Sequence, residues 1–207
     1  RTISSAASDV YKRQAIEDHF DHSFELEETL AAKGKDEALH LVKDMLHNPG
    51  SVFYVRQQQP AGLGHAVWCA RHLVVSEPVA VLLADDLILG ASCVKEMVDA
   101  YKGGNMVAVM DVPHEQTGSY GIVTPGADDG RIVQVEGLVE KPDPSSAPSN
   151  IAVVGRYIIT PEVFETLAAQ ERGAGGEIQL TDALAKQIGK APFSGVRFSG
   201  ERYDCGS

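Results

Sequence analysis

The chain has 207 residues, long enough for one domain with a real core, and its hydrophobic and charged shares, 43% and 23%, are those of an ordinary globular protein. With 18 Lys and Arg against 29 Asp and Glu its formal net charge is −11, which argues against a nucleic-acid partner. No apolar run reaches the roughly 18 residues of a membrane span, and no signal peptide opens the chain. The three cysteines, Cys69, Cys93 and Cys205, lack metal spacing and read as reduced thiols of a cytoplasmic protein.

Residues 1–14 (RTISSAASDVYKRQ) are small, polar and aperiodic, and read as a cloning scar outside the fold. From Ala15 to Leu46, apolar residues punctuate a charged background, which predicts two amphipathic helices broken near Gly34. Ser51–Val55 reads as a strand. The chain then breaks at Pro60 and passes Gly62-Leu63-Gly64. Ala66, Val67, Ala70 and Leu73 follow at helical spacing, and the apolar run 79–83 ends in Asp85-Asp86. Strand, glycine turn, helix, strand and acid pair make a βαβ unit. Ligands of such sheets sit where strands end and helices begin. Glycine lets backbone approach a ligand closely, and Asp85, just past a strand end, can hold a divalent cation.

Next come a helix over 91–101, a buried parallel strand at 106–110 and a strand at 119–124. A turn at Asp128-Asp129-Gly130 leads to the alternating strand 132–136. After VEKP (139–142) comes a proline- and serine-rich loop to Ser149, then a long apolar strand, 151–159. A helix begins near Pro161 and runs through Leu167, 173–176 is a glycine link, and 181–188 is another helix. Thr181 or Asp182 reads as its cap. Val196-Arg197-Phe198 begins the last predicted strand.

The words RQ (56–57), GLGHAV (62–67), LLADD (82–86), SYGIV (119–123), VEKP (139–142), VVGRY (153–157), GEIQLTD (176–182) and RYDCGS (202–207) stand in one order. In these words, and in AIEDHFD (15–21), the chain resembles the bacterial UTP–glucose-1-phosphate uridylyltransferases, or UDP-glucose pyrophosphorylases. The resemblance covers 15–207, a partial nucleotidyltransferase domain. It implies an α/β fold with a Rossmann-like, mostly parallel sheet flanked by helices. It also implies the conversion of UTP and glucose 1-phosphate to UDP-glucose and pyrophosphate, with Mg²⁺ as cofactor and a homo-oligomer for the full-length protein.

Residue by residue, the resemblance makes Asp85 and Asp204 the metal carboxylates and Gln57 the reader of the uracil edge, with Gly62 bringing backbone to the same ring. Gly121 admits the sugar or ribose, Glu140 meets sugar hydroxyls, and Lys141 bridges the sugar phosphate and the α-phosphate. Asp85 and Lys141 are thus the catalytic pair. Arg156 either reaches a phosphate or pairs with an acid. In an acidic chain, a polyphosphate site needs local cations, and Lys141 and the metal supply them.

The family also begins with a strand and a Gly-rich loop of GxGTRxLPxTK type, and continues past RYDCGS. Neither part is among these 207 residues. On this reading the chain is truncated at both ends, impaired in turnover by several orders of magnitude and unstable at the sheet edge. The alternatives are another sugar-1-phosphate nucleotidylyltransferase, acting with dTTP or CTP, and a non-catalytic fragment that binds a UDP-sugar.

Overall fold

The structure is a computed structural model that describes residues 2–5, 17–46, 48–74 and 76–206. The chain divides into two compact units, one of Arg1–Ala6 with Gln57–Ser207 and one of Ala7–Arg56.

In the larger unit the strands are β1 (Thr2–Ser5), β2 (Val79–Leu83), β3 (Asp86–Leu89), β4 (Asn105–Asp111), β5 (Gly121–Asp128), β6 (Ile132–Glu140), β7 (Ile151–Ile159), β8 (Phe193–Arg197) and β9 (Glu201–Asp204). Seven of them form one sheet in the order β1-β2-β7-β4-β8-β6-β5, and β3 pairs with β9 in a separate ribbon. In the smaller unit, α1 (Phe24–Ala32) and α2 (Asp36–Asp44) are the two expected helices, with the turn at Gly34 between them. Neither buries a residue. The larger unit adds α3 (Leu63–Cys69), α4 (Cys93–Ala100), α5 (Pro161–Leu167) and α6 (Leu180–Ala185).

The sheet has a core on each face. Successive residues of a strand point to opposite faces. Val107 and Val109 of β4 therefore join one core with Val67 of α3, Phe164 of α5 and Leu184 of α6. Met106 and Ala108 join the other with Cys93 and Met97 of α4. Full burial of a Val, Leu or Met side chain among these contributes about 1.5–3 kcal/mol. This explains the near-continuous apolar runs in β4 and β7, which are covered on both faces.

The α/β class, with helices on both faces of one sheet, stands. The sheet is nevertheless more mixed than the expected mostly parallel one. β1–β2 and β4–β8 are parallel, whereas β7 runs antiparallel to β2, β4 and β5, and β6 runs antiparallel to β5 and β8. A continuous apolar run reports burial on both faces and says nothing of direction.

Three local readings change. The run 51–55 forms no strand, and Phe53 and Tyr54 are exposed. β-Branched and aromatic residues suit a strand, but a strand also needs a partner for its backbone groups, and this run pairs with no strand among the described residues. Thr181 and Asp182 do not cap α6. They lie inside it, and Gln179 precedes it without a side-chain cap. Thr2–Ser5, from the segment the family words do not reach, pair in parallel with Ala80–Leu83.

Candidate active site

Asp85 lies in the turn that carries β2 into β3 and is exposed, whereas its neighbour Asp86 is only 6% exposed. The difference follows from their partners. Asp86 Oδ2 accepts from Gly155 N at 2.5 Å, and Oδ1 accepts from Arg202 Nε at 2.5 Å. Arg156 donates to Leu83 O at 2.9 Å, to Gly155 O at 2.8 Å and to Asp86 O, so it grips backbone on both sides of Ala84-Asp85. Among the described residues, the hydrogen bonds of Arg156 go to backbone carbonyls and not to a carboxylate. It holds the turn that presents Asp85.

β9 brings Asp204 to the same place. Asp204 is the register partner of Asp86, and Cys205 N donates to Asp85 O at 2.8 Å. Gly206 measures how closely the two acids converge. A side chain starting there would meet Asp85 Oδ2 at 3.1 Å and Asp204 Oδ1 at 3.3 Å. Arg202 then ties the corner to the next element, reaching Asp204 Oδ2 at 3.4 Å and donating to the Tyr120 hydroxyl at 3.3 Å.

Beyond Tyr120 lie Gly121, Glu140 and Lys141. Gly121 and Glu140 are register partners of β5 and β6. A Cβ on Gly121 would meet Glu140 Oε2 and Thr181 Cγ2, each at 3.2 Å, so this edge is open because the residue is glycine. Strict alternation would send Glu140 and Lys141 to opposite faces. Lys141 instead has φ of 46°, rare for a residue with a side chain, and its N–H donates to Tyr120 O at 2.9 Å. That kink turns Lys141 Nζ to within 4.0 Å of Glu140 Oε1. Such backbone is costly and persists only where its surroundings impose it. Tyr157 of β7 is buried among these acids. Desolvation first, then Glu140, Asp86 and Asp85, hold its hydroxyl well above its ordinary pKa, against the pull of Arg202.

The loop carrying Gln57 and Gly62, the expected base loop, forms a second group. Gly62, at φ 105°, precedes α3, and a Cβ there would strike Glu177 Cβ at 2.8 Å and Ile178 O at 2.8 Å. Gly64 N donates to Ile178 O, and Ile178 N donates to Ala61 O, both at 2.8 Å. Gly62 is therefore needed for docking on the GEIQLTD segment, quite apart from any ligand. Gln57 Nε2 lies 3.1 Å from Gly62 O and 2.9 Å from His65 Nδ1. The GEIQLTD segment lies beside both groups, because a Cβ at Gly62 would meet Glu177 and Ile178 and one at Gly121 would meet Thr181.

The nucleotidyl transferase family pattern matches residues 13–206. The UTP–glucose-1-phosphate uridylyltransferase of Komagataeibacter xylinus is 50% identical over 198 residues, which span 94% of this chain and 70% of that one. The chain belongs to the nucleotidyl transferase family, among the UTP–glucose-1-phosphate uridylyltransferases. Two solved structures agree. A UTP-bound UDP-glucose pyrophosphorylase from Acinetobacter baumannii superposes with a TM-score of 0.85 at 35% identity, covering all of this chain and 73% of that one. A UDP-glucose pyrophosphorylase complexed with UDP-glucose gives 0.83 at 37% identity, covering 94% and 72%.

Among uridylyltransferase positions, the words of the sequence do not reveal what Asp86, Arg202, Thr181 and His65 do. Asp86 looks interchangeable with Asp85, and Arg202 pairs with it across 116 residues of chain. An ion pair at that separation leaves no local signal. The donor set at Asp85 and Asp204 fits magnesium, which takes one or two carboxylates and fills its other positions with phosphate oxygens and water. Among the described residues no cluster of three or more His, Cys, Asp or Glu side chains offers a protein-only cage. Among them, too, no helix is long and apolar enough to cross a membrane.

Proposed function

We propose that this chain transfers the uridylyl group of UTP to glucose 1-phosphate, giving UDP-glucose and pyrophosphate. A phosphate oxygen of the sugar attacks the α-phosphorus, the new P–O bond forms, and the bond to the pyrophosphate oxygen breaks. No covalent enzyme intermediate is needed, so the protein must align two anions and neutralise charge. The observation that carries this reading is the convergence of Asp85 and Asp204 at Gly206, joined through Arg202 and Tyr120 to Gly121, Glu140 and Lys141.

In this reading Asp85 and Asp204 hold magnesium, which when bound supplies charge neutralisation at phosphate oxygens. Lys141 carries its ammonium to the sugar phosphate and the α-phosphate, and its kinked backbone sets that direction in advance. Glu140 accepts from sugar hydroxyls, Gly121 leaves room for the sugar ring, and Gln57 meets the uracil edge beside Gly62. In this reading the protein works in the cytoplasm as a homo-oligomer. The similarity to UTP–glucose-1-phosphate uridylyltransferases supports the uridylyl reading over dTTP, CTP or binding-only readings.

The test is pyrophosphate release from UTP and glucose 1-phosphate with Mg²⁺, read relative to the unsubstituted chain. Release that depends on both substrates and disappears in Lys141→Ala supports the proposal. Binding of UDP-glucose without any release would move the assignment to a non-catalytic binder.

A further inference from the structure

We propose that Tyr120 is a positioning residue whose hydroxyl fixes the tilt of the Arg202 guanidinium and, through it, sets Asp204 for the metal. The inference rests on the reading of Asp204 as a metal carboxylate.

An arginine fork usually grips a carboxylate by both of its oxygens. Here it does not. Arg202 Nε and Nη2 both meet one oxygen, Asp86 Oδ1, each at 2.5 Å. Asp86 Oδ2 is taken by Gly155 N. Two bonds to a single oxygen leave a planar group free to tilt about it. The remaining corner of the plane is held by Tyr120, whose hydroxyl accepts from Nη1 at 3.3 Å, with the guanidinium carbon 5.4 Å from the ring centroid. In that tilt Nη2 also faces Asp204 Oδ2 at 3.4 Å, while Gly206 N donates to Asp204 Oδ1 at 2.9 Å. Both oxygens of Asp204 are thus directed before a cation arrives. Groups that hydrogen-bond a ligating carboxylate orient it and raise its affinity for the metal.

Tyr120 is itself well held. Its ring packs on the cluster of Val112, Ile122 and Ala152. Its N–H donates to Thr117 O at 3.2 Å, and its carbonyl accepts from Lys141 N at 2.9 Å. One residue therefore touches the acid corner with its side chain and the kinked backbone of Lys141 with its carbonyl. Two anions that must be aligned for attack depend on the spacing between these groups.

Manganese titrations of the whole chain with UDP-glucose present, read by electron paramagnetic resonance, test this beside rates of pyrophosphate release. Tyr120→Phe keeps the ring and the carbonyl and loses only the hydroxyl. The Mn²⁺ dissociation constant should rise about three- to tenfold, the size of one ordinary hydrogen bond, and kcat should fall by a similar factor. The KM for glucose 1-phosphate should hold, because Gly121 and Glu140 are untouched. Asp204→Asn should weaken Mn²⁺ binding more, and in that background Tyr120→Phe should add nothing. An unchanged or tighter constant in Tyr120→Phe, when Asp204→Asn weakens it, would overturn the role of Tyr120 and leave Asp204 as the ligand. A full effect of Tyr120→Phe in the Asp204→Asn background would show that the hydroxyl acts elsewhere, and would also overturn the inference. No Mn²⁺ bound by the parent, or no effect of Asp204→Asn, would remove the metal reading and the inference with it. A lower thermal midpoint with a raised KM for glucose 1-phosphate in Tyr120→Phe would mean a loosened sheet edge and would count against the inference as well.

Discussion

The acid corner and the base loop hold their functional side chains by different means. At the corner, Asp85 is aimed through its surroundings: Asp86 is held by Arg202 and Gly155 N, Arg156 grips the carbonyls of Leu83 and Asp86, and Cys205 N donates to the Asp85 carbonyl. At the base loop, Gln57 is aimed by neutral hydrogen bonds to Gly62 O and His65. The carboxylate proposed to hold a cation is set by the backbone around it, and the amide proposed to meet the base by bonds to its own Nε2. Substitutions at the corner should therefore separate rate from stability, whereas those at the loop should change selectivity.

The largest effect should come from Asp86→Ala. It leaves the half-buried Arg202 guanidinium without its main partner and Gly155 N without its acceptor, a loss of about 3–5 kcal/mol. The thermal midpoint should drop by on the order of 10 °C. A midpoint equal to the parent's would show that Asp86 does not hold the corner.

The adjacent Asp85→Asn should do the reverse. Its exposed side chain contributes little to folding, so the midpoint should stay, while pyrophosphate release falls by roughly 10²–10³, the usual loss for one preorganised charge-stabilising group. Lys141→Ala should behave alike, which steady-state rates beside melting curves would establish. If both substitutions lower the midpoint as much as the rate, the division between corner and scaffold fails.

Gly62→Ala should cost about 1–3 kcal/mol of stability in denaturant titration, because its Cβ would press on the backbone of Ile178. Gly121→Ala, facing Glu140 and Thr181 side chains at 3.2 Å, should cost less and act mainly by raising KM for glucose 1-phosphate. Equal costs at the two glycines would erase the contrast.

The smallest effect lies away from both regions. Arg197, then Gly130 N–H, hold the Asp128 carboxyl below its ordinary value. A lowered folded-state pKa gives stability that is complete above the ordinary Asp value and is lost as pH falls through the lowered one. Asp128→Asn should therefore flatten the acid limb of a midpoint-versus-pH curve slightly, and an unchanged limb would discount the pair.

Much of this was legible in the sequence, for definite reasons. β7 was bounded correctly as 151–159 because an unbroken apolar run must be buried. The alternation in 132–136 predicted a half-exposed strand, and β6 shows that pattern. The ribbon of β3 and β9 was missed because each strand is four residues long and its partner lies over a hundred residues away. Strand 51–55 was over-read because side-chain preference alone suggested it. At the site, the sequence words placed Asp85, Asp204, Gly121, Glu140 and Lys141, and the structure gathers them. What each neighbour does was hidden, because Asp85 and Asp86 differ only in which way their side chains turn.

The most direct test is Mg²⁺-dependent pyrophosphate release from UTP and glucose 1-phosphate by the parent chain, Asp85→Asn and Asp204→Asn, with melting curves on the same samples. The account predicts slow but Mg²⁺-dependent release by the parent, its loss in both variants, and midpoints that do not move. No release by the parent, or release at the parent rate in either variant, would contradict it.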